Sequence, residues 1–230
     1  PSISEDEIEA VKSVMLSGNI AHSKKVDDFE SQFSDYIGTN YAIATSNGTT
    51  ALHIALLANG IGKGSEVITT SFTFVATANS VLFTGAKPVF VDSEPNSFNI
   101  DPRLIESKIT SKTKAIMPVH LFGQSADMDE ITKVAQKHNI PVIEDAAQAL
   151  GTQYKDGRFV GSIGDMGCYS FYPSKNLGAF GDGGLIATNN DELAIKLKQM
   201  RNHGMSPKYW WQFPIGCNTS SCSKYKIEIP

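Results

Sequence analysis

The chain has 230 residues, 41% apolar and 19% charged, enough for one large core or two smaller ones. A net charge of −4, with no Lys/Arg cluster beyond the pair Lys24 and Lys25, leaves no basic footprint for nucleic acid. No apolar run reaches the roughly 20 residues of a membrane span, the start "PSISEDEIEAV" is acidic rather than signal-like, and Cys168, Cys217 and Cys222 lack paired metal spacing. The expectation is a globular, cytoplasmic protein with reduced thiols, no membrane segment and no bound metal.

Ser4 followed by Glu7 predicts a capping box opening an amphipathic helix, with Ile8, Val11, Val14 and Met15 on one face and Gly18-Asn19 as its stop. A second amphipathic helix is predicted from Lys25 to Tyr36, ending at Gly38. Residues 1–40 thus read as a helical arm at the surface.

From Tyr41 the pattern changes to short apolar strands alternating with helices: "YAIATS", "TALHIALLANG", "EVITT", "VATANSVLFTG" and "PVFVD". It continues with "KAIMPVHLFG", a helix from Asp129 to His138, "IPVIEDAAQ", a hairpin at "YKDGRFVG", "MGCYSFY", "GGLIATN" and a helix from Asp191 to Arg201. Such alternation predicts an α/β domain over 41–204, a mainly parallel mixed sheet of about seven strands flanked by helices. The helix from Thr50 to Asn59 is apolar on nearly every side except at His53, so it belongs at the centre. Sites in such sheets form beyond the carboxyl ends of the strands.

Four strand-end loops carry candidate chemistry. "ATSNGTTAL" leads straight into the buried helix, whose free N–H groups and neighbouring hydroxyls suit a phosphate, although a plain N-cap by Thr49 or Thr50 explains it equally well. It is neither GxGxxG nor a Walker A loop. "TTSFTFVATAN" offers Phe72 and Phe74; one could face a flat heteroaromatic ligand, but placement of both in the core is the better reading from this segment alone. "IPVIEDAAQALG" ends a buried strand in Glu144-Asp145 with Gln148 following, and a carboxylate there is costly unless something positive or hydrogen-bonding meets it.

The fourth loop is "YSFYPSKNLGAFGDGG". Lys175 is the only Lys or Arg between Arg158 and Lys196, in a chain that carries 20 of them. A lysine in a glycine-rich, largely uncharged pocket is suited to act as the nucleophilic amine of a Schiff base. The preceding "GCYSFY" reads as a buried strand, and the glycines that follow permit close backbone approach. A phosphate cradle, a stacking aromatic, a carboxylate and a lysine together match pyridoxal 5′-phosphate.

The motifs "SNGTTALHIALLANGIGKGSEVITTSFTFVATANSVLFTGAKPVFVD", "MPVHLFGQSADMD", "VIEDAAQALG" and "YSFYPSKNLGAFGDGG" stand in one order from Ile8 to Gly204. In these the chain resembles the DegT/StrS family of nucleotide-sugar aminotransferases, which are fold-type I pyridoxal-phosphate enzymes. The resemblance implies covalent attachment of the cofactor by Lys175, pairing of Asp145 with the pyridine nitrogen, contact of Gln148 with the ring-hydroxyl side and stacking by Phe74. It also implies phosphate binding by the N–H groups of Gly48 and Thr49 and by the Ser170 hydroxyl. Asn218, in a segment resembling the family's G-x-N-x-R, is implied to reach the phosphate in the neighbouring subunit of a homodimer.

The implied reaction transfers an amino group, usually from glutamate, to a nucleotide-linked keto-sugar. Related sugar dehydratases usually replace the lysine by histidine, so Lys175 argues for amino transfer. The segment 205–230 diverges: Gly216 and Asn218 are kept, the arginine is absent, and no helical or alternating period runs on from Trp210. The expectation is a truncated or frame-shifted member with the small C-terminal domain missing. A chain that binds cofactor or a partner without turnover is the alternative.

Overall fold

A computed structural model describes residues 3–205. Helix α1 (Glu5–Ser17) starts where the Ser4 N–H donates to the Glu7 carboxylate at 2.6 Å, and it stops at Gly18 with φ 73°. It buries none of its residues. Helix α2 (Lys24–Ile37) ends at Gly38 in the same left-handed way, φ 75°, and differs from α1 in its packing. Phe33 meets Tyr169 edge-on with centroids 5.0 Å apart, and Phe29 meets Phe171 at 5.4 Å. α2 is therefore part of the core, while α1 lies outside it.

Seven strands follow among the described residues: β1 (Tyr41–Thr45), β2 (Glu66–Thr70), β3 (Lys87–Val91), β4 (Thr113–Met117), β5 (Ile143–Asp145), β6 (Met166–Ser170) and β7 (Gly184–Thr188). One ladder runs β1-β7-β6-β5 and another β3-β2-β4. Parallel bridges Ile116 to Val142 and Val119 to Asp145 join them, so the continuous order is β3-β2-β4-β5-β6-β7-β1. β7 is antiparallel to both β6 and β1, which leaves the other six strands pointing one way. This is the mixed, mainly parallel sheet expected from the alternation of strands and helices.

Both faces are covered, as a mainly parallel sheet requires. On one side α3 (Gly48–Ala58) sets Leu52, Ala55 and Leu56 against Ile43, Val67, Met117, Ile143 and Ile186. On the other, α5 (Pro102–Ile105) and α6 (Met128–His138) set Ile105, Met128 and Ile131 against Ile68, Ile116 and Val142. Each such aliphatic side chain contributes about 1.5–3 kcal/mol on burial. Helix α4 (Ala76–Phe83) packs against α3, and α7 (Asp191–Arg201) follows β7. The hairpin at 154–161 forms as read, with Tyr154 N–H donating to the Arg158 carbonyl at 2.8 Å and a bridge from Gln153 to Phe159.

Candidate active site

Because six strands share a direction, the ends of β1, β2, β4, β5 and β6 and the start of β7 fall on one edge of the sheet. That edge gathers the strand-end loops singled out in the sequence. Asp145 ends β5 and faces Cys168 of β6 in register, while Ser170 ends β6 and faces Gly184 of β7. Lys175 follows in a turn closed by its own N–H donating to the Tyr172 carbonyl at 2.8 Å, and it is half-buried.

The β1–α3 turn is capped by Asn47, not by Thr49 or Thr50. Its Oδ1 accepts from the Thr50 N–H at 2.8 Å and from the Thr50 hydroxyl at 3.0 Å. A cap on the third helical residue satisfies that donor and leaves the first two open. The N–H groups of Gly48 and Thr49 accordingly have no acceptor among the described residues. A Cβ on Gly48 would stand 2.7 Å from the Ser170 Cβ and 3.1 Å from its hydroxyl. One on Gly184 would stand 2.3 Å from the Asn47 carbonyl carbon, so bare backbone is needed at both positions to bring β1, β6 and β7 together here.

Phe72 and Phe74 correct the core reading: they are 48% and 65% exposed, with Phe72 tilted against Phe98 at 5.7 Å. Their loop is drawn toward β5 because Thr77, in the first turn of α4, donates to Asp145 Oδ2 at 2.8 Å. Gln148 is half-buried and accepts the Phe122 N–H on Oε1 at 2.9 Å, which ties it to the loop after β4. Asn218 lies outside the described residues.

The two carboxylates of β5 have opposite environments, since alternate residues of a strand face opposite sides. Burial pushes the Asp145 carboxyl above its ordinary range; the Thr77 hydroxyl, the Ala147 N–H, His120 and Lys175 oppose the rise without cancelling it. Asp145 has no ion-pair partner among the described residues. Burial raises Glu144 as well, but the His120 ring and the N–H groups of Gly164 and Gly161 outweigh it and hold this carboxyl below its ordinary value. Glu144 accepts from Gly161 at 2.7 Å, from Ile163 at 2.8 Å and from Gly164 at 2.6 Å.

His120 is a site neighbour that the sequence did not mark out. Its Nδ1 accepts the Ala126 N–H at 3.1 Å, so the ring proton sits on Nε2 and goes to Glu144 Oε2 at 2.8 Å. The ring thereby serves a buried carboxylate. Its backbone N–H donates to the Asp145 carbonyl at 3.0 Å and so fixes the end of β5 directly. The signal available was "MPVHLFG", a histidine just past an apolar strand, but its partner stands 24 positions away.

The profile of the DegT/DnrJ/EryC1/StrS aminotransferase family matches residues 1–222. The chain belongs to the DegT/DnrJ/EryC1/StrS aminotransferase family. Among its relatives in this family, the "pleiotropic regulatory protein" of Geobacillus stearothermophilus is 53% identical over 86% of this chain and 53% of its own length. The GDP-perosamine synthase of Caulobacter vibrioides is 53% identical over 82% of the chain and 50% of its length. The crystal structure of NtdA from Bacillus subtilis with bound cofactor PMP superposes with a TM-score of 0.83 at 42% identity, covering 89% of this chain and 47% of that one. The chain spans about half the length of these family members.

Proposed function

We propose that this chain carries the cofactor-binding part of a pyridoxal-phosphate-dependent aminotransferase, which moves an amino group from glutamate onto a nucleotide-linked keto-sugar. The observation that carries the reading is the convergence of Lys175, Asp145 and the open α3 N-terminus on one edge of the sheet. The residues present fit the cofactor. Asp145 is a buried carboxylate without an ion-pair partner among the described residues, and a protonated ring nitrogen would supply one. The Gly48 and Thr49 N–H groups, beside the Ser170 hydroxyl, suit a phosphate at a helix N-terminus. A side chain at position 48 would fill that cradle.

When bound, pyridoxal phosphate supplies an electron sink for the carbon that gives up or receives nitrogen. The chain's own residues do the rest. Asp145 holds the proton on the ring nitrogen, Phe74 covers a ring face, and Gln148 stands on the ring-hydroxyl side. Lys175 Nζ holds the cofactor and, once released, takes and returns the proton at the substrate carbon. In this reading residues 41–204 form the cofactor domain of a cytoplasmic homodimer, with Asn218 reaching the neighbouring phosphate. Among the described residues no helix is long and apolar enough to cross a membrane.

The names of the relatives support the sugar substrate: one is a GDP-perosamine synthase. The bound PMP in NtdA supports the cofactor. The test is an amino-transfer assay with glutamate and a panel of keto-sugar nucleotides, following formation of 2-oxoglutarate. Turnover of at least one sugar nucleotide is expected. Cofactor uptake without amino transfer to any of them would favour a cofactor-binding chain that needs further segments, consistent with its coverage of about half of the relatives.

A further inference from the structure

Among the described residues each oxygen of Asp145 takes one hydrogen bond, and the two donors differ in origin. Oδ1 accepts the Ala147 N–H at 3.2 Å, two residues along the chain, whereas Oδ2 accepts the Thr77 hydroxyl at 2.8 Å, across 68 positions of sequence. Thr77 Oγ1 also lies 2.8 Å from Thr73 Oγ1. A carboxylate only accepts, so the single Thr77 proton is committed to Oδ2, and the Thr73 hydroxyl must be the donor to Thr77. The relay has one direction, Thr73 to Thr77 to Asp145. Thr77 is 1% and Asp145 5% exposed, which leaves little room for water to replace the bond between them. Thr73 belongs to the loop that also presents Phe74.

We propose that Thr77, oriented by Thr73, is a positioning residue that keeps the Asp145 carboxylate charged and in one orientation, and that links it to the loop bearing Phe74. The proposal rests on the reading of Asp145 as the partner of a pyridine nitrogen. The ionisable groups around Asp145 are Glu144, its chain neighbour on the opposite face of β5, His120 beyond β4, Cys168 on β6 and Lys175 beyond β6. α4 contributes the Thr77 hydroxyl. Of the groups that favour the charged form, Thr77 is the strongest opponent of burial.

Carboxyl ¹³C NMR of the cofactor-free chain reads the Asp145 titration directly, with the signal assigned by its loss in Asp145→Asn. Thr77→Val is expected to move the midpoint upward by about one pH unit, the size of one hydrogen bond to a charged group. Thr77→Ser should restore it, and Thr73→Val should shift it less in the same direction. Pyridoxal phosphate affinity should fall about tenfold in Thr77→Val and return in Thr77→Ser. An unchanged midpoint in Thr77→Val, or a shift that Thr77→Ser does not reverse, overturns the proposal. If Thr77→Val fails to fold, Thr73→Val decides, and an unmoved midpoint there overturns it. A wild-type chain that binds no pyridoxal phosphate refutes the functional reading, while the carboxyl titration still decides this one.

Discussion

At the scale of single residues, Lys175 and Asp145 make separable demands. Lys175 is proposed to hold the cofactor and to move a proton, so Lys175→Ala should lower amino transfer by about 10²–10⁴-fold or more. It should also leave no cofactor mass on the chain after borohydride reduction; retained mass would place the attachment elsewhere. Asp145 carries a conflict between stability and use. Its carboxyl is raised above the ordinary value by burial, so the folded state holds that proton more tightly than the unfolded one. Above that raised value its ionised form therefore costs stability, a cost relieved as pH falls through it. Asp145→Asn should raise the melting temperature of the cofactor-free chain while weakening pyridoxal phosphate binding and crippling transfer. Thermal melts with and without cofactor check both halves.

At the scale of elements, Glu144 is the anchor behind the site. One carboxylate serves three backbone N–H groups of the 161–164 turn and the His120 ring, and so ties β5 to that turn and to the chain leaving β4. Glu144→Ala would leave these donors buried without an acceptor, at about 1–3 kcal/mol each, so a total loss above about 3 kcal/mol is expected in urea unfolding. The pH dependence has the opposite sign to that of Asp145. The Glu144 carboxyl is held below its ordinary value of 4.5, so its contribution is complete above that value and is lost as pH falls through the lower folded one. Acid unfolding of wild type should be steep below that point, and Glu144→Gln should flatten it. The pattern of apolar strands separated by helices foretold these elements closely, from the Gly18 and Gly38 stops to the 154–161 hairpin, because those features depend on neighbours in sequence.

At the scale of the whole molecule, the two ends of the described chain meet over the sheet. Glu30 of α2 accepts the Ala44 N–H of β1 at 2.8 Å and pairs with Arg201 at the end of α7, whose guanidinium also reaches the Ala44 carbonyl at 3.3 Å. α2 is thereby held to the sheet by charge as well as by Phe29 and Phe33. Arg201→Met would leave the Glu30 carboxylate in a largely dry site. A loss of about 2 kcal/mol is expected, between the limits for exposed and buried pairs. Added salt should narrow the difference only slightly, since the pair is mostly shielded from solvent. Equal stability of variant and wild type in denaturant would show that the aromatic contacts alone hold α2.

The amino-acid sequence by itself determined which segments became strands and helices, that the sheet would be mainly parallel, and which strand-end loops would gather at one edge of it. Hydrophobic period, caps and glycines act over a few residues, so they can be read along the chain. It also singled out Lys175 and Asp145, one by isolation from other basic residues and one by its place at the end of an apolar strand. Only the tertiary structure decided that Asn47 caps α3, that Phe72 and Phe74 face outward, and that Thr77 and His120 serve the two β5 carboxylates. Thr77 finds Asp145 across 68 positions and His120 finds Glu144 across 24. The order of strands in the sheet creates such partnerships, and no local pattern encodes them.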